Sequence, residues 1–119
     1  MERVRQRISP DPFLPLKPRV LLMLLSLLKE PRHGYALKEE IAGRSQGRVV
    51  LGPGTLYRTI RDLLRDGLIV ETESDLDPVE DDERRRYYRI TELGRSVVAA
   101  EARRLEGLVE IVRGEKLIP

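Results

Sequence analysis

The stretch that decides the fold is LGPGTLYRTIRDLLRDGLI, from Leu51 to Ile69. Pro53 suits the first turn of a helix and Gly67 suits the position after the last turn, so the stretch predicts a helix over 53–66. Apolar residues at helical spacing form one stripe of this helix, namely Leu56, Ile60, Leu63 and Leu64. The opposite stripe consists of Gly54, Arg58, Arg61 and Arg65. The helix is therefore predicted to bury its leucines and to present arginines to an anionic partner.

The glycines at the start of this helix raise the alternative of a phosphate-binding loop. A nucleotide-binding loop needs more glycines and a Lys-Ser/Thr ending, and a dinucleotide site needs a preceding strand in a larger α/β unit. Gly52-Pro53-Gly54 has neither feature. The simpler interpretation is a tight helix start whose small residues let the backbone approach a surface, such as a DNA phosphate at the positive helix end.

The arginine stripe has an ordinary interpretation and a functional one. Surface helices are commonly charged, and Asp62 could pair with Arg58 or Arg65 at short helical spacing. Three arginines in register on a helix that closes a helix-turn-helix-like pair favour DNA, because guanidinium groups fit phosphate oxygens and the O6/N7 edge of guanine. Thr55 and Tyr57, near the amino end of the helix, could add phosphate or base contacts.

Prolines and glycines, which mark the ends of elements, and the spacing of the apolar residues predict the remaining helices and strands. Three prolines in residues 10–15 indicate an extended N-terminal arm over 1–16, with a short helix at Arg3–Ile8 as a further option. Residues 17–91 then form one domain and 92–119 a long helix and tail. The predicted elements are helices over 18–30, 34–44 and 92–113, the last capped by Thr91, and two antiparallel strands over 68–72 and 86–90.

Composition limits the class of protein. The chain has 119 residues and no cysteine, which fits one small domain without disulfides, and its N-terminus lacks a secretory leader. The apolar run Val20–Leu28 is about half the ~20 residues that a membrane span requires, so it is core. We expect a cytoplasmic protein with no membrane partner.

No residue cluster predicts catalysis, a cofactor or a metal. His33 is the only histidine, and no serine, cysteine or carboxylate is arranged around it as in a nucleophile-base pair, so we expect it at the start of the second helix. The acidic cluster Asp75, Asp77, Asp81 and Asp82 lacks the glycine and glutamate spacing of a calcium loop. The sequence predicts a solvated loop there and no enzyme.

Charge is concentrated in blocks, although the net charge is only +2. Residues 44–65 hold five arginines and one aspartate, whereas 73–83 hold seven acids and no base. A basic cluster follows, made of Arg84, Arg85, Arg86 and Arg89 with Tyr87 and Tyr88. It could clamp the DNA backbone or minor groove, or it could be neutralised by the acids before it. Tyr87 and Tyr88 alternate across a strand, so one of them should be core.

The final helix carries an apolar seam that a small domain cannot bury alone. The seam contains Val98, Ala102, Leu105, Leu108 or Val109, and Val112. The apolar first helix, through Val20 and Leu24, offers a matching surface in a second subunit. The sequence therefore predicts a homodimer, and we expect Val20, Leu24, Val98, Leu105, Leu108 and Val112 at its interface.

Three motifs, in their order and register, resemble the PadR family of bacterial transcriptional regulators. They are PRHGYALKEEI, LGPGTLYRTIRDLLRDGLI and RRRYYRITELGR. The resemblance runs from about Lys17 to Arg95, and the final helix has the length of the short members with a single C-terminal helix. It implies a winged helix-turn-helix dimer in which Tyr57, Arg58 and the arginines of RRRYYR face DNA. Members typically repress genes until a small molecule loosens the dimer.

The expected fold class is therefore mainly α with a small β-hairpin, a winged helix-turn-helix followed by a long C-terminal dimerisation helix. The expected function is that of a ligand-responsive repressor binding a palindromic operator on double-stranded DNA, through Thr55, Tyr57, Arg58, Arg61, Arg65, Arg84, Arg85 and Arg86. The alternative is a winged helix used as a protein-interaction module, with the acidic loop as its contact. A salt-dependent mobility shift of DNA on addition of the protein would distinguish the repressor from the protein-interaction module.

Overall fold

A computed structural model describes residues 9–73 and 86–119 of the chain. A short 3-10 turn at Asp11–Phe13 precedes the regular elements. In chain order these are α1 (Pro18–Leu25), β1 (Arg32–His33), α2 (Gly34–Arg44), α3 (Pro53–Arg65), β2 (Ile69–Thr72), β3 (Tyr87–Ile90) and α4 (Glu92–Gly114). Three helices with a β-hairpin after the third form a winged helix-turn-helix, and α4 extends from it. This confirms the predicted fold class.

The first helix is shorter than predicted, because α1 ends at Leu25 and the segment to Glu30 is not helical. The Ser26 hydroxyl donates to the Leu22 carbonyl at 2.7 Å. The amides of Leu27 and Leu28 then bond to carbonyls three residues back, which tightens and ends the helix. Pro31 also disfavours helical geometry in the residue before it.

The core lies where α1, α2, α3, the sheet and the start of α4 meet. Its fully or nearly fully buried apolar residues include Met23, Leu24, Leu37, Ile41, Leu56, Ile60, Leu63, Leu68, Ile69 and Val97. The predicted apolar stripe of α3 is thus confirmed at Leu56, Ile60 and Leu63, and its fourth member, Leu64, is partly buried. Leu24 corrects another prediction: it is completely buried inside the protomer, so it has no surface left to offer a partner subunit.

The hairpin is part of a three-stranded antiparallel sheet in the order β1-β3-β2. Strands β2 and β3 pair from Ile69 opposite Ile90 to Thr72 opposite Tyr87, as the prediction of two antiparallel strands required. The two-residue strand β1 was not predicted, because alternation cannot be recognised over two residues. It places Arg32 opposite Tyr88 and His33 opposite Tyr87. Tyr88 is buried and Tyr87 is partly exposed, so Tyr88 is the core member of the pair.

Side-chain caps begin two of the helices. The Nδ1 atom of His33 accepts the Ala36 amide at 3.3 Å, which confirms the predicted role of His33 at the start of α2. The ring of His33 also meets the ring of Tyr87 edge to face at 5.4 Å. Thr91 Oγ1 accepts the Gly94 amide at 3.0 Å, which confirms the predicted cap of α4.

The described part of the N-terminal segment is packed onto the domain. Phe13, Leu14 and Leu16 lie against the core as partly buried side chains. The Leu16 amide donates to Glu101 Oε2 on α4 at 3.3 Å. The arm over 9–16 is therefore joined to the C-terminal helix, and the helix considered at Arg3–Ile8 lies outside the described residues.

Glu101 is a buried carboxylate that the sequence analysis did not identify. Its residue is only 2% exposed. Arg104 binds it through two hydrogen bonds, Nε to Oε1 at 2.7 Å and Nη2 to Oε2 at 2.9 Å. The hydrogen bonds from Arg104 lower the pKa of the Glu101 carboxyl most, the Leu16 amide lowers it further, and burial acts in the opposite direction. The pair thus holds a charged carboxylate between α4 and the N-terminal segment.

We predict that Glu101→Gln destabilises the fold at neutral pH and that this loss of stability becomes smaller in acid. A carboxyl whose folded-state pKa lies below its unfolded value contributes stability above the unfolded pKa, about 4.3 for glutamate, and loses it as pH falls through the folded value. Urea unfolding at pH 7 and at pH 3 measures the difference. Glu106→Gln removes the same charge from an exposed position of α4 and should be near neutral. An equal effect of Glu101→Gln at both pH values would contradict this account.

Candidate nucleic-acid interface

Helix α3 has two chemically opposite faces. Leu56, Thr59, Ile60 and Leu63 are buried, and Tyr57, Arg58, Arg61 and Arg65 are exposed. The two sets alternate at helical spacing, so burial of the first set orients the second toward solvent. The structure therefore brings the predicted recognition residues of this helix onto one surface, with Thr55 partly buried at its edge.

The amino end of α3 is open. Gly52 is the extended cap residue and makes no side-chain cap bond, and Pro53 occupies the first helical position. A β-carbon built at Gly54 would lie 3.9 Å from Nη2 of Arg58 and would touch nothing closer. The positive end of the helix dipole and its amide groups thus lie beside an arginine, an arrangement suited to an anionic oxygen.

The three arginines of the exposed stripe differ in their partners. Arg65 pairs with Asp62 and with Asp66, each at 3.2 Å, and a hydrogen bond to Asp66 is the main reason that its pKa is raised above the ordinary value. Within 9–73 and 86–119, Arg58 and Arg61 form no ion pair. The predicted pairing of Asp62 is thus with Arg65, and among the described residues the uncompensated charge lies at Arg58 and Arg61, in the second and third turns of the helix.

A contact from α1 holds the buried side of α3 in place, and sequence reasoning missed it. Arg19 Nε donates to Thr59 Oγ1 at 3.3 Å, and the Thr59 hydroxyl donates to the Thr55 carbonyl at 2.7 Å. Arg19 is partly buried and also borders a surface hollow of about 370 Å³ at the amino end of α3, where Arg48, Val50 and Thr55 lie. No pattern in the sequence distinguishes Arg19 from other surface arginines.

The hairpin of β2 and β3 is the wing of the fold, and one predicted DNA-binding residue of the wing lies among the described residues, at its base. Arg86 is exposed and pairs with Glu71 across the hairpin at 3.1 Å. Its charge is therefore shared with a carboxylate on the neighbouring strand. Arg84 and Arg85, together with the acidic cluster, lie outside the described residues.

The predicted dimer seam runs along α4. Leu105 and Leu108 are 37% and 48% exposed, while Val98 and Val112 are partly buried. Ile111, which the seam prediction did not include, is 64% exposed and widens this apolar surface. Val20 on α1 is partly buried, in contrast to the fully buried Leu24.

Two other features are absent from the part of the chain that the structure describes. It contains no helix long and apolar enough to cross a membrane. It also contains no group of three or more histidine, cysteine or acidic side chains placed to hold a metal ion.

Comparison with known proteins agrees with this architecture. Residues 21–100, from α1 into α4, match the sequence profile of the Transcriptional regulator PadR-like family. Transcriptional regulator Rv3488 of Mycobacterium tuberculosis is 40% identical over 82 residues, which cover 69% of this chain and 70% of that protein.

Solved structures share the fold. A transcriptional regulator from Clostridium thermocellum superposes with a TM-score of 0.66 at 22% identity, covering 95% of this chain and 100% of that one. A PadR family transcriptional regulator from Eggerthella lenta gives 0.64 at 25% identity, covering 92% and 87%. The profile match covers more than half of the chain, and the relative from Mycobacterium tuberculosis is more than 30% identical to this chain over two thirds of its length. The chain therefore belongs to the PadR-like family of transcriptional regulators.

Proposed function

We propose that this regulator is a homodimeric, sequence-specific repressor that inserts α3 into the major groove of an operator. The observation that carries the proposal is the division of α3 into a buried apolar face and an exposed face bearing Arg58 and Arg61. Residues 17–91 would form the DNA-binding domain, and 92–119 the dimerisation helix and tail.

The dimensions and chemistry of α3 suit the groove. Its 13 residues span about 20 Å, and the major groove is about 12 Å wide and admits one helix. Arg58 and Arg61 can donate to the O6/N7 edge of guanine, because neither is engaged by a carboxylate among the described residues. Tyr57, Thr55 and the open amino end of α3 would contact phosphates, and Arg65 would do so only by leaving its aspartates.

The wing would contribute backbone contacts beside the recognition helix. Arg86, with Arg84 and Arg85 before it, would approach the phosphates that flank the groove. The ion pair of Arg86 with Glu71 makes this contact weaker than that of an unpaired arginine. We therefore propose that α3 supplies most of the specificity and the wing a smaller, salt-sensitive part of the affinity.

A second copy of the chain is the proposed partner of α4. Leu105, Leu108 and Ile111 are large apolar side chains in water, and each contributes ~1.5–3 kcal/mol when fully buried. A two-fold pairing along this helix would place two copies of α3 for successive turns of DNA, so the operator would be an imperfect palindrome. A small-molecule effector that loosens this pairing would release the operator.

The proposed function is tested by selecting DNA fragments with the purified protein and measuring their affinity against salt. We expect a palindromic consensus and an affinity that falls steeply as salt rises, because each neutralised phosphate releases counterions. Failure to enrich any sequence, with no DNA shift at low salt, would favour the protein-interaction alternative.

The recognition-helix assignment predicts that Arg58→Ala with Arg61→Ala abolishes specific binding and leaves the fold intact. A base-reading arginine contributes ~1–3 kcal/mol and its loss relaxes specificity at one position, whereas loss of a phosphate contact weakens all sequences alike. Operator titrations and thermal unfolding measure both effects. Lys29→Ala with Arg103→Ala removes the same net charge from exposed positions elsewhere and should weaken binding far less. Unchanged operator affinity in the Arg58/Arg61 variant would refute the assignment.

The dimer prediction concerns Leu105→Asp with Leu108→Asp. Two unpaired charges in the interface cost more than the lost apolar area, so we expect a monomeric or unfolded protein without operator affinity. Analytical ultracentrifugation and circular dichroism give the assembly and the fold. The control places aspartate at Ala99 and Arg103, exposed positions of α4 that face away from Leu105, Leu108 and Ile111, and should remain dimeric. A Leu105/Leu108 variant that sediments as a folded dimer would place the interface elsewhere.

A further inference from the structure

Gly34 lies under the ring of Tyr57. It is the first residue of α2 and is buried. A β-carbon built on its backbone would lie 2.7 Å from the Tyr57 hydroxyl oxygen and 3.0 Å from Cε1 and Cζ of the same ring. Real β-carbons essentially never approach another heavy atom to less than 3.0 Å. The tyrosine of the recognition helix thus crosses the first turn of α2 at a point where any larger residue would collide with it.

Backbone conformation does not explain a glycine at this position. The glycines with positive φ are Gly47 and Gly67, so Gly34 has a backbone that alanine could adopt. Gly43, near the other end of the same helix, has no atom within 4 Å of its built β-carbon. Glycine also lowers helix stability relative to alanine. What distinguishes Gly34 is its contact with Tyr57.

The surroundings of Gly34 hold its backbone in place. His33, immediately before it, caps α2 through Nδ1 and packs its ring on Tyr87. Pairing of β1 with β3 sets Tyr88 opposite Arg32, two residues before Gly34. The pKa of Tyr88 is raised by burial first, then by Glu71 and by Tyr57, in keeping with a Tyr57 hydroxyl close to the base of the wing. Tyr57 therefore lies where α2, α3 and the sheet meet, while its residue remains 44% exposed.

We propose that Gly34 is a positioning residue for DNA recognition, and that it acts through Tyr57. The missing β-carbon lets the tyrosine ring rest on α2, which fixes the ring beside Arg58 and makes the start of α2 and the exposed face of α3 one continuous surface. This inference rests on the proposed function, because the surface that Gly34 organises is the one proposed to meet DNA.

The size of the clash determines what a side chain at position 34 would do. A methyl group there needs several tenths of an ångström more space than the ring leaves. The obstructing atoms are the far end of a flexible side chain, so the ring should swing away and the two helices should keep their spacing. Gly34→Ala should therefore fold as stably as the natural chain and present Tyr57 wrongly.

A double-mutant cycle tests the inference, with operator affinity and thermal unfolding measured for every variant. We expect Gly34→Ala to weaken operator binding about tenfold, the scale of one lost contact to DNA. Tyr57→Ala should weaken binding at least as much, and adding Gly34→Ala to Tyr57→Ala should cause no further loss. The matched control is Gly43→Ala, the same change on the same helix in open space, which should bind as the natural chain does.

Each outcome of the double-mutant cycle either supports or overturns the proposal that Gly34 positions Tyr57. Natural affinity in Gly34→Ala, or an equal additional loss in the Tyr57→Ala background, would overturn the inference. If Gly34→Ala unfolds, recovery of the fold in the double variant supports a clash with the Tyr57 ring, and an unfolded double variant overturns it. Natural protein that binds no DNA would instead overturn the proposed function, so the two failures are distinguishable.

Discussion

Burial of the apolar stripe of α3 is the interaction on which the rest of the structure depends. Leu56, Ile60 and Leu63 are almost completely removed from water against the core, and each contributes a stabilisation on the order of 1.5–3 kcal/mol. Rotating α3 about its axis would expose these side chains, so its orientation is fixed. The exposure of Arg58 and Arg61 is a consequence of that burial and requires no separate support.

The anion-binding character of α3 depends on which of its arginines have acidic partners among the described residues. Asp62 and Asp66 lie near the carboxyl end of α3, where they engage Arg65. The amino end has an open helix terminus, a glycine and Arg58, and Arg58 forms no ion pair with a carboxylate of residues 9–73 or 86–119. The positive potential of the helix is therefore greatest at the end that enters a groove first in helix-turn-helix proteins. Contacts from Arg19 and Gly34 on neighbouring elements then set how the polar face is presented.

Much of this arrangement could be predicted from the sequence, because long periodic elements carry their own signals. The spacing in α2, α3 and α4, the prolines and glycines at helix ends, and the alternation in the hairpin gave elements within a few residues of those observed. Features that depend on tertiary contacts were missed. The early end of α1 follows from Ser26 and the turn toward β1. The hydrogen bond from the Leu16 amide to Glu101 joins segments 85 residues apart in sequence.

Leu24 shows that the residues of the dimer interface, too, depend on tertiary contacts that the sequence does not reveal. Its position in an apolar helix is compatible with either the domain core or a subunit interface, and periodicity cannot choose between two apolar environments. Packing of α1 on α2 and α4 places Leu24 inside. The candidate interface consequently rests on α4, where Leu105, Leu108 and Ile111 remain exposed. Similarly, Gly34 carries no signal of its contact with Tyr57, because the two residues meet only after α2 and α3 have packed.

The most direct test of the central claim uses the absence of cysteine from the chain. A single cysteine at Gly54, on the exposed face one turn before Arg58, can carry an iron chelate that cleaves nearby DNA. We predict two zones of cleavage in the selected operator, centred about one helical turn apart, and none from a cysteine at Gly107 on α4. Labelled protein that binds the operator but cleaves no better from position 54 than from position 107 would contradict insertion of α3 into the groove.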